Sequence, residues 1–297
     1  MLKVIQRIIQ FTGHFSSTLC AYIVLYLCSR PKKYADSSRE TLQLNQANKL
    51  TYKGATGTEN IAWSWGEGPI VILCHGWEAK GAKMATLGIA IAQQGFQAIA
   101  IDCTAHGHSK GKRSNFDIMA QDIYSLSSQF SDIFAIVGHS MGGMMAMRAR
   151  AFGLQANRYV LIGAPSAPLP IIDIMKNTLK VNAQTLAICQ QEVASQIGLT
   201  WNELIQGKMY LQENRPLLMI YDTHDQEVPF FHAQKIQTLW QNSTIITTTG
   251  LSHRNIIWDH NVIQSIVTFL TQAPTKKQSH HQEKIMNNTV ISNHISA

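Results

Sequence analysis

A tight strand–turn–helix unit near the middle of the chain constrains its fold more than any other feature. The apolar, β-branched run Ile133–Val137 predicts a buried strand, and residues 143–150 are rich in helix formers. Between them stands the pentapeptide Gly-His-Ser-Met-Gly at 138–142. So sharp a turn strains its central residue and pushes the side chain out of the sheet, while the flanking glycines remove Cβ atoms that would collide. Ser140 is therefore a candidate nucleophile.

Strand and helix patterns alternate over much of the chain. Strands are predicted at 61–65, 70–74, 96–101, 133–137, 158–162, 217–221 and 244–248, and helices at about 82–94, 116–130 and 255–271. Repeated βα units predict an α/β fold with a mainly parallel sheet and helices on both faces. From 165 to about 215 only helical patterns occur, so an insertion leaves the carboxyl edge of the sheet. We expect it to form a short helical lid over about 166–212, because ligands bind at that edge.

Composition and charge exclude some functions. The 297 residues are 45% apolar and 14% charged, which is sufficient for a packed core. The net charge of +7 belongs to the ends, since residues 36–272 carry 17 basic and 17 acidic side chains. A nucleic-acid-binding body with a basic face is therefore not expected. Five scattered cysteines predict a reducing compartment, hence the cytoplasm, and the polar tail 273–297 is predicted to be disordered.

The N-terminal segment, residues 1–35, allows three interpretations. It carries five basic residues and no acid, and residues 15–28 form a mostly apolar run of 14. The segment could pack on the main domain as a helix, lie on an anionic inner membrane through residues 1–33, or form a short span. The run is short for a span, which needs about 20 apolar residues. No cleavage site of a signal peptide follows it.

Polar residues that could assist Ser140 follow two later strands. Asp222, Asp225 and Glu227 follow the strand at 217–221, and His253 follows the strand at 244–248. Parallel strands end at one edge of a sheet, so these groups should converge there. A serine hydroxyl needs a base that takes its proton and a carboxylate that orients the base. The order along the chain leaves open which acid serves, and His260 remains an alternative base.

Five ordered motifs together resemble the α/β-hydrolase superfamily over roughly residues 60–272. They are His-Gly-Trp at 75–77, D-x-x-x-H-G-x-S at 102–109, the pentapeptide at 138–142, D-x-x-V-P at 225–229 and Gly-Leu-Ser-His at 250–253. The resemblance implies Asp225 as the acid and His253 as the base, in the main domain 36–272. It also implies an oxyanion hole formed by the backbone N–H groups of Trp77 and Met141. The superfamily's loops account for four further histidines, which are expected to brace turns rather than bind metal: His75, His106, His108 and His139.

The resemblance implies hydrolysis of a small-molecule carboxylic ester through an acyl-enzyme, without a metal or organic cofactor. The His-Gly-Trp-Glu opening at 75–78 is similar to that of bacterial serine esterases. Thioesterase, lyase or perhydrolase chemistry on the same triad is an alternative, as is a non-catalytic hydrolase-like binding protein. A haloalkane dehalogenase is disfavoured, because its nucleophile is an aspartate where this chain has Ser140. No motif predicts the acyl-chain length or the oligomeric state.

Overall fold

The computed structural model describes residues 2–211 and 213–272, so the predicted disordered tail lies outside the described residues. The strands are β1 (Asn48–Lys53), β2 (Glu59–Trp65), β3 (Ile70–Cys74), β4 (Gln97–Ile101), β5 (Ile133–His139), β6 (Arg158–Ile162), β7 (Leu217–Asp222) and β8 (Ser243–Thr248). The α-helices are α1 (Leu2–Phe15), α2 (Ser17–Cys28), α3 (Ser38–Leu44), α4 (Ala85–Ala92), α5 (Phe116–Ser127), α6 (Met141–Ala149), α7 (Leu169–Asp173), α8 (Ala183–Ile197), α9 (Trp201–Ile205), α10 (Phe231–Leu239), α11 (Ser252–Asn255) and α12 (His260–Thr271).

The strands form one sheet in the order β1-β2-β4-β3-β5-β6-β7-β8. Strand β2 pairs antiparallel with β1 and β4, and all other neighbours are parallel. This arrangement confirms the predicted α/β-hydrolase fold. The parallel strands bring the carboxyl ends of β3, β5, β6, β7 and β8 to one edge, where the candidate site residues follow them.

Apolar clusters cover both faces of the sheet, which is why the parallel strands are nearly continuous apolar runs. Along β3, Val71 and Leu73 join one cluster, while Ile72 and Cys74 join the other. The first cluster includes residues of α4 and α12, and the second includes residues of α5 and α6. This three-layer packing fixes the strand ends that carry the site.

Helices α3, α10 and α11 and strand β1 were absent from the sequence prediction. No element was predicted for residues 36–60, but helix α3 and the antiparallel strand β1 lie there. Helix α3 begins at a capping box in which Ser37 and Glu40 exchange hydrogen bonds. Strand β1 is an edge strand and mostly exposed, so its apolar alternation is reduced to half-buried Leu50 and buried Tyr52. The last helix begins later than predicted, at His260, after the N-cap Asp259.

The N-terminal segment contains two helices, α1 and α2. Ser16 is the N-cap of α2, since its side-chain oxygen accepts a hydrogen bond from the backbone N–H of Leu19. The pair packs on the insertion between β6 and β7, which holds α7, α8 and α9. Buried Ile9 and Val24 meet Ile172 and Met175 of the insertion in a third apolar cluster. Within the described part of the chain, every helix is too short or too polar to cross a bilayer.

Candidate active site

Ser140 lies at the sharp turn between β5 and α6. Its φ of 54° is in the left-handed region that residues with a Cβ rarely adopt. The glycines around it are required by close contact. A Cβ on Gly138 would lie 2.3 Å from the Cα of Gly143, and one on Gly142 would lie 2.3 Å from the carbonyl oxygen of His75. The packed elbow holds Ser140 half-exposed at the carboxyl edge of the sheet.

His253 connects Ser140 with Asp225. Its Nε2 lies 2.9 Å from Oγ of Ser140, and its Nδ1 lies 2.7 Å from Oδ2 of Asp225. Because the carboxylate can only accept, Nδ1 carries the proton and Nε2 presents a lone pair to the serine hydroxyl. This is the tautomer that a general base needs, so the three predicted residues form one hydrogen-bonded chain.

Asp222 at the end of β7 and the two acids of the following loop have different surroundings. The second oxygen of Asp225 accepts the backbone N–H groups of Glu227 and Val228, both at 2.8 Å, which fixes the carboxylate toward His253. Glu227 is about half exposed and pairs with Arg254 at 3.0 Å. Geometry therefore supports Asp225 as the partner of His253, as the sequence motif implied.

Asp222 braces the loop that carries the histidine. Its carboxylate accepts hydrogen bonds from the N–H groups of Leu251 at 2.7 Å and His224 at 2.9 Å, and from the hydroxyl of Thr248 at 3.0 Å. Burial would raise the pKa of Asp222, but these donated hydrogen bonds hold it below its usual value. Its oxygens are thus occupied by the loop, and it positions His253 without touching it. Asp222 was expected from the sequence only as a possible acid of the triad, so this bracing contact was not predicted.

The backbone N–H groups of Trp77 and Met141 remain available as donors. Trp77 follows Gly76, where a Cβ would lie 3.5 Å from Oγ of Ser140, and Met141 is the first residue of α6. Neither N–H has an acceptor among residues 2–211 and 213–272. An unpaired N–H at a helix start favours negative charge nearby. Both residues also line the cavity described below.

Two further residues, Gly163 and His139, contact His253. Gly163 was not predicted as a site residue, and His139 was predicted only to brace a turn. Gly163 follows β6 with a φ of 53°, and a Cβ there would lie 3.2 Å from Nδ1 of His253 and 3.5 Å from Oδ2 of Asp225. His139 donates its Nε2–H to the carbonyl oxygen of His253 at 2.8 Å. Burial, with the neighbouring His253, lowers the pKa of His139 to about 3, so the imidazole stays neutral.

The other predicted bracing histidines hold adjacent loops. The Nδ1 of His75 bonds the carbonyl oxygen of Gly76 at 2.7 Å, and its Nε2 accepts the N–H of Cys103 at 3.2 Å. His106 bonds the carbonyl oxygen of Thr104 at 3.0 Å. His108 contacts Asp36 and Asp102, and its hydrogen bond with Asp102 raises its pKa.

A cavity of about 810 Å³ opens over Ser140 and His253. This volume falls in the range of small-molecule sites. Its wall is largely apolar and includes Trp77, Phe116, Met141, Met144, Ile171, Ile174, Phe231, Ile257 and Trp258. Residues 165–178 of the insertion form one side, and residues 32–35 form part of the rim. The rim segment was missed, because its sequence was assigned to the N-terminal segment alone.

His232 also reaches this wall, and no motif indicated it. Its Nδ1 accepts the backbone N–H of Ser166 at 3.0 Å and lies 2.8 Å from the hydroxyl oxygen of Ser166. Burial lowers its pKa to about 4, so the imidazole is neutral and its remaining N–H is on Nε2. The contact fixes the start of the insertion against α10.

Comparison with known proteins assigns the chain to a family. Residues 68–228, more than half of the chain, match the serine aminopeptidase S33 family, Hydrolase_4. A non-heme chloroperoxidase of Kitasatospora aureofaciens is 27% identical over 165 residues, 54% of this chain and 58% of that protein. Protein phosphatase methylesterase 1 of Rattus norvegicus is 27% identical over 154 residues, 49% of this chain and 36% of that protein. The chain thus matches less than two thirds of the length of either relative.

Solved structures show the same fold. The esterase Pf2001 of Pyrococcus furiosus superimposes with a TM-score of 0.60 at 18% identity, covering 81% of this chain and 95% of that one. Est1E of Butyrivibrio proteoclasticus, solved with ferulic acid, gives 0.60 at 16% identity and covers 82% and 100%. With the family match over the nucleophile turn and the acid loop, the chain belongs to the serine aminopeptidase S33 family of α/β-hydrolases.

Proposed function

We propose that this serine hydrolase cleaves a small-molecule carboxylic ester through an acyl-enzyme. The observation that carries the proposal is the hydrogen-bonded chain from Asp225 through His253 to Ser140 beneath an apolar cavity. Apolar walls suit an acyl group, and the names of the structural neighbours include esterases. The scattered cysteines support a cytoplasmic enzyme.

In the first half-reaction, Oγ of Ser140 attacks the acyl carbon while Nε2 of His253 takes the hydroxyl proton. Asp225 stabilises the resulting imidazolium, and the N–H groups of Trp77 and Met141 stabilise the tetrahedral oxyanion. Collapse expels the alcohol, which takes the proton from His253. Water, deprotonated by His253, then attacks the acyl-enzyme and releases the acid.

A second candidate is perhydrolysis, in which hydrogen peroxide replaces water and the product is a peracid. The chloroperoxidase among the relatives favours this candidate. The family's name also makes amide cleavage a reaction to test. All three reactions share Ser140, so the acyl acceptor and the leaving group distinguish them.

The test is a panel of p-nitrophenyl esters of graded acyl length, alongside an aminoacyl p-nitroanilide and an ester assay with peroxide. We expect a p-nitrophenolate burst whose amplitude equals the enzyme concentration, and loss of turnover in Ser140→Ala. Ser265→Ala on α12, which does not line the cavity, is the matched control and should keep full turnover. Full activity in Ser140→Ala would overturn the mechanism, and faster cleavage of the anilide than of every ester would overturn the substrate class.

A further inference from the structure

We propose that helices α1 and α2, with the basic loop at 110–113, form a docking surface for an anionic lipid bilayer. We further propose that the cavity takes acyl esters from that bilayer. The second statement rests on the proposed ester hydrolysis, whereas the first stands on the surface alone.

One side of α1 is apolar and exposed. Val4, Ile8, Phe11 and Phe15 are spaced by four, three and four residues, which places them on one face of a helix. All four are exposed, Phe11 by 67% and Phe15 by 71%. The adjoining side of the helix, with Ile9, packs on the fold. These four side chains therefore add nothing to the apolar core, which favours a contact with something outside the chain.

Helix α2 adds a second exposed apolar stripe. Leu19, Tyr22 and Tyr26 are again spaced by three and four residues, and all are exposed. Cys20 and Val24 on the other side are buried against the insertion. Two packed helices thus present seven large apolar side chains to solvent. Apolar surface of this extent, edged by basic residues, is typical of interfacial membrane binding.

Basic residues surround the end of α2. The loop at 110–113 is held there by a hydrogen bond of 2.8 Å from the N–H of Ser114 to the carbonyl oxygen of Ser29. The guanidinium groups of Arg30 and Arg113 lie 5.0 and 5.7 Å from the ring centre of Tyr26. The exposed cations of this cluster are Arg30, Lys32, Lys110, Lys112 and Arg113, whereas the ammonium of Lys33 donates to the carbonyl oxygen of Ser109.

The positive charge beside the exposed apolar stripes favours an anionic bilayer as the partner of this surface. An anionic bilayer attracts each nearby lysine or arginine by about 1 kcal/mol, so five exposed cations next to an apolar face favour lipid. A second copy of the chain would place the same cations against each other, which disfavours self-association. The polar side of α1 adds Lys3 and Arg7 and no acid.

The docking surface adjoins the mouth of the cavity. Lys32, Tyr34, Ile174 and Phe231 are exposed and also line the cavity. Helix α1 is joined to the same rim, since Nε2 of Gln6 donates to the carbonyl oxygen of Thr178 at 2.8 Å. A bilayer seated on the two helices would therefore lie beside the opening, and an acyl ester could enter without crossing bulk water.

Point variants of the full chain test the surface better than truncation, because residues 1–30 cover buried Ile172 and Met175. One variant carries Phe11→Ser and Phe15→Ser, and a second carries Lys110→Gln, Lys112→Gln and Arg113→Gln. The matched controls are Leu42→Ser, where the leucine is 65% exposed on α3, and Lys49→Gln with Lys53→Gln and Lys235→Gln. Co-sedimentation is measured with vesicles of phosphatidylcholine, alone and mixed with phosphatidylglycerol.

We expect the wild type and both controls to bind the mixed vesicles, with weaker binding at high salt. Each test variant should partition roughly a hundredfold more weakly, from about tenfold per phenylalanine and about fivefold per cation. No binding by the wild type, or equal binding by all variants, would overturn the docking surface. Conversion of a dimer to a monomer by Phe11→Ser with Phe15→Ser, seen in sedimentation velocity, would instead identify a self-interface and also overturn it.

Measurements of ester hydrolysis distinguish the docking surface from the proposal that the substrate comes from the bilayer. Every variant should hydrolyse a soluble p-nitrophenyl ester at the wild-type rate, while the two test variants should lose most hydrolysis of a long-chain ester embedded in mixed vesicles. Equal rates of all variants on the embedded ester would overturn the bilayer as the substrate source. Absence of soluble-ester hydrolysis in the wild type would refute the proposed function and leave the binding result standing.

Discussion

Replacement of Asp225 by asparagine distinguishes the three acids at and after the end of β7 by what each does. Oδ1 of Asp225 accepts two backbone N–H groups at 2.8 Å, and Oδ2 accepts Nδ1–H of His253 at 2.7 Å. The asparagine oxygen can keep the two backbone bonds, so its NH₂ then faces His253. The imidazole must accept that hydrogen at Nδ1 and carry its proton on Nε2, where it can no longer act as a base.

The expected loss of kcat in Asp225→Asn can be worked out from the second orientation of the asparagine amide. Turning the amide would restore the correct tautomer but leave both backbone N–H groups facing an NH₂, at a cost of about 2–6 kcal/mol. At most about 3% of molecules would then be competent, which sets a loss of at least about 30-fold. Loss of the negative charge that stabilises the imidazolium adds to this, and the expected fall in kcat is about 10⁴-fold.

The assay is kcat for a soluble p-nitrophenyl ester, with circular dichroism and urea unfolding as checks on the fold. Asp225→Asn should unfold within about 1 kcal/mol of the wild type, because its backbone bonds survive. Glu227→Gln is the control in the same loop and should keep kcat within about threefold. Asp222→Asn should lower stability by about 1–3 kcal/mol with a smaller loss of kcat, since it faces only donors. A larger loss of kcat in Asp222→Asn than in Asp225→Asn would refute this assignment.

Two further predictions concern acid stability and the packing behind the histidine. Burial lowers the pKa of three histidines to about 3 or 4: His106, His139 and His232. Between pH 6.5 and about pH 4 the unfolded chain protonates these histidines and the folded chain does not, while Asp122, whose pKa burial raises to about 6, holds one proton in the folded chain and offsets part of the difference. Stability should therefore fall by about 3 kcal/mol per pH unit near pH 5, and equal urea midpoints at pH 7 and pH 5 would contradict this. Gly163→Ala should displace His253 and lower kcat about tenfold with the fold retained, and an unchanged kcat would show that the close contact has no consequence.

Much of the fold could be predicted because its parallel strands are buried on both faces. Runs such as Ile70–Cys74 and Arg158–Ile162 have the bounds predicted from their apolar residues alone. The positions of Ser140, Asp225 and His253 followed from motifs at strand ends, and the structure brings their side chains together. Their catalytic functions remain proposals that kinetics must test.

Other features depend on contacts that no local pattern reports. Gly163 is required by the close approach of His253, which lies in α11, and Asp222 binds N–H groups 28 and 29 residues away. Strand β1 is recognisable only once β2 pairs with it, because its exposed side chains are polar. The division of the N-terminal segment at Ser16 depended on a capping serine inside an apolar run, and its packing partner lies more than 150 residues away in the insertion.

The proposed function depends above all on Ser140 being an activated nucleophile. The most direct test is labelling with a fluorophosphonate probe, on the wild type and on Ser140→Ala in parallel, with mass spectrometry to locate the adduct. We expect one adduct, on Ser140, that is absent from the folded Ser140→Ala protein. An adduct on another residue, or none on folded wild-type protein, would contradict this expectation.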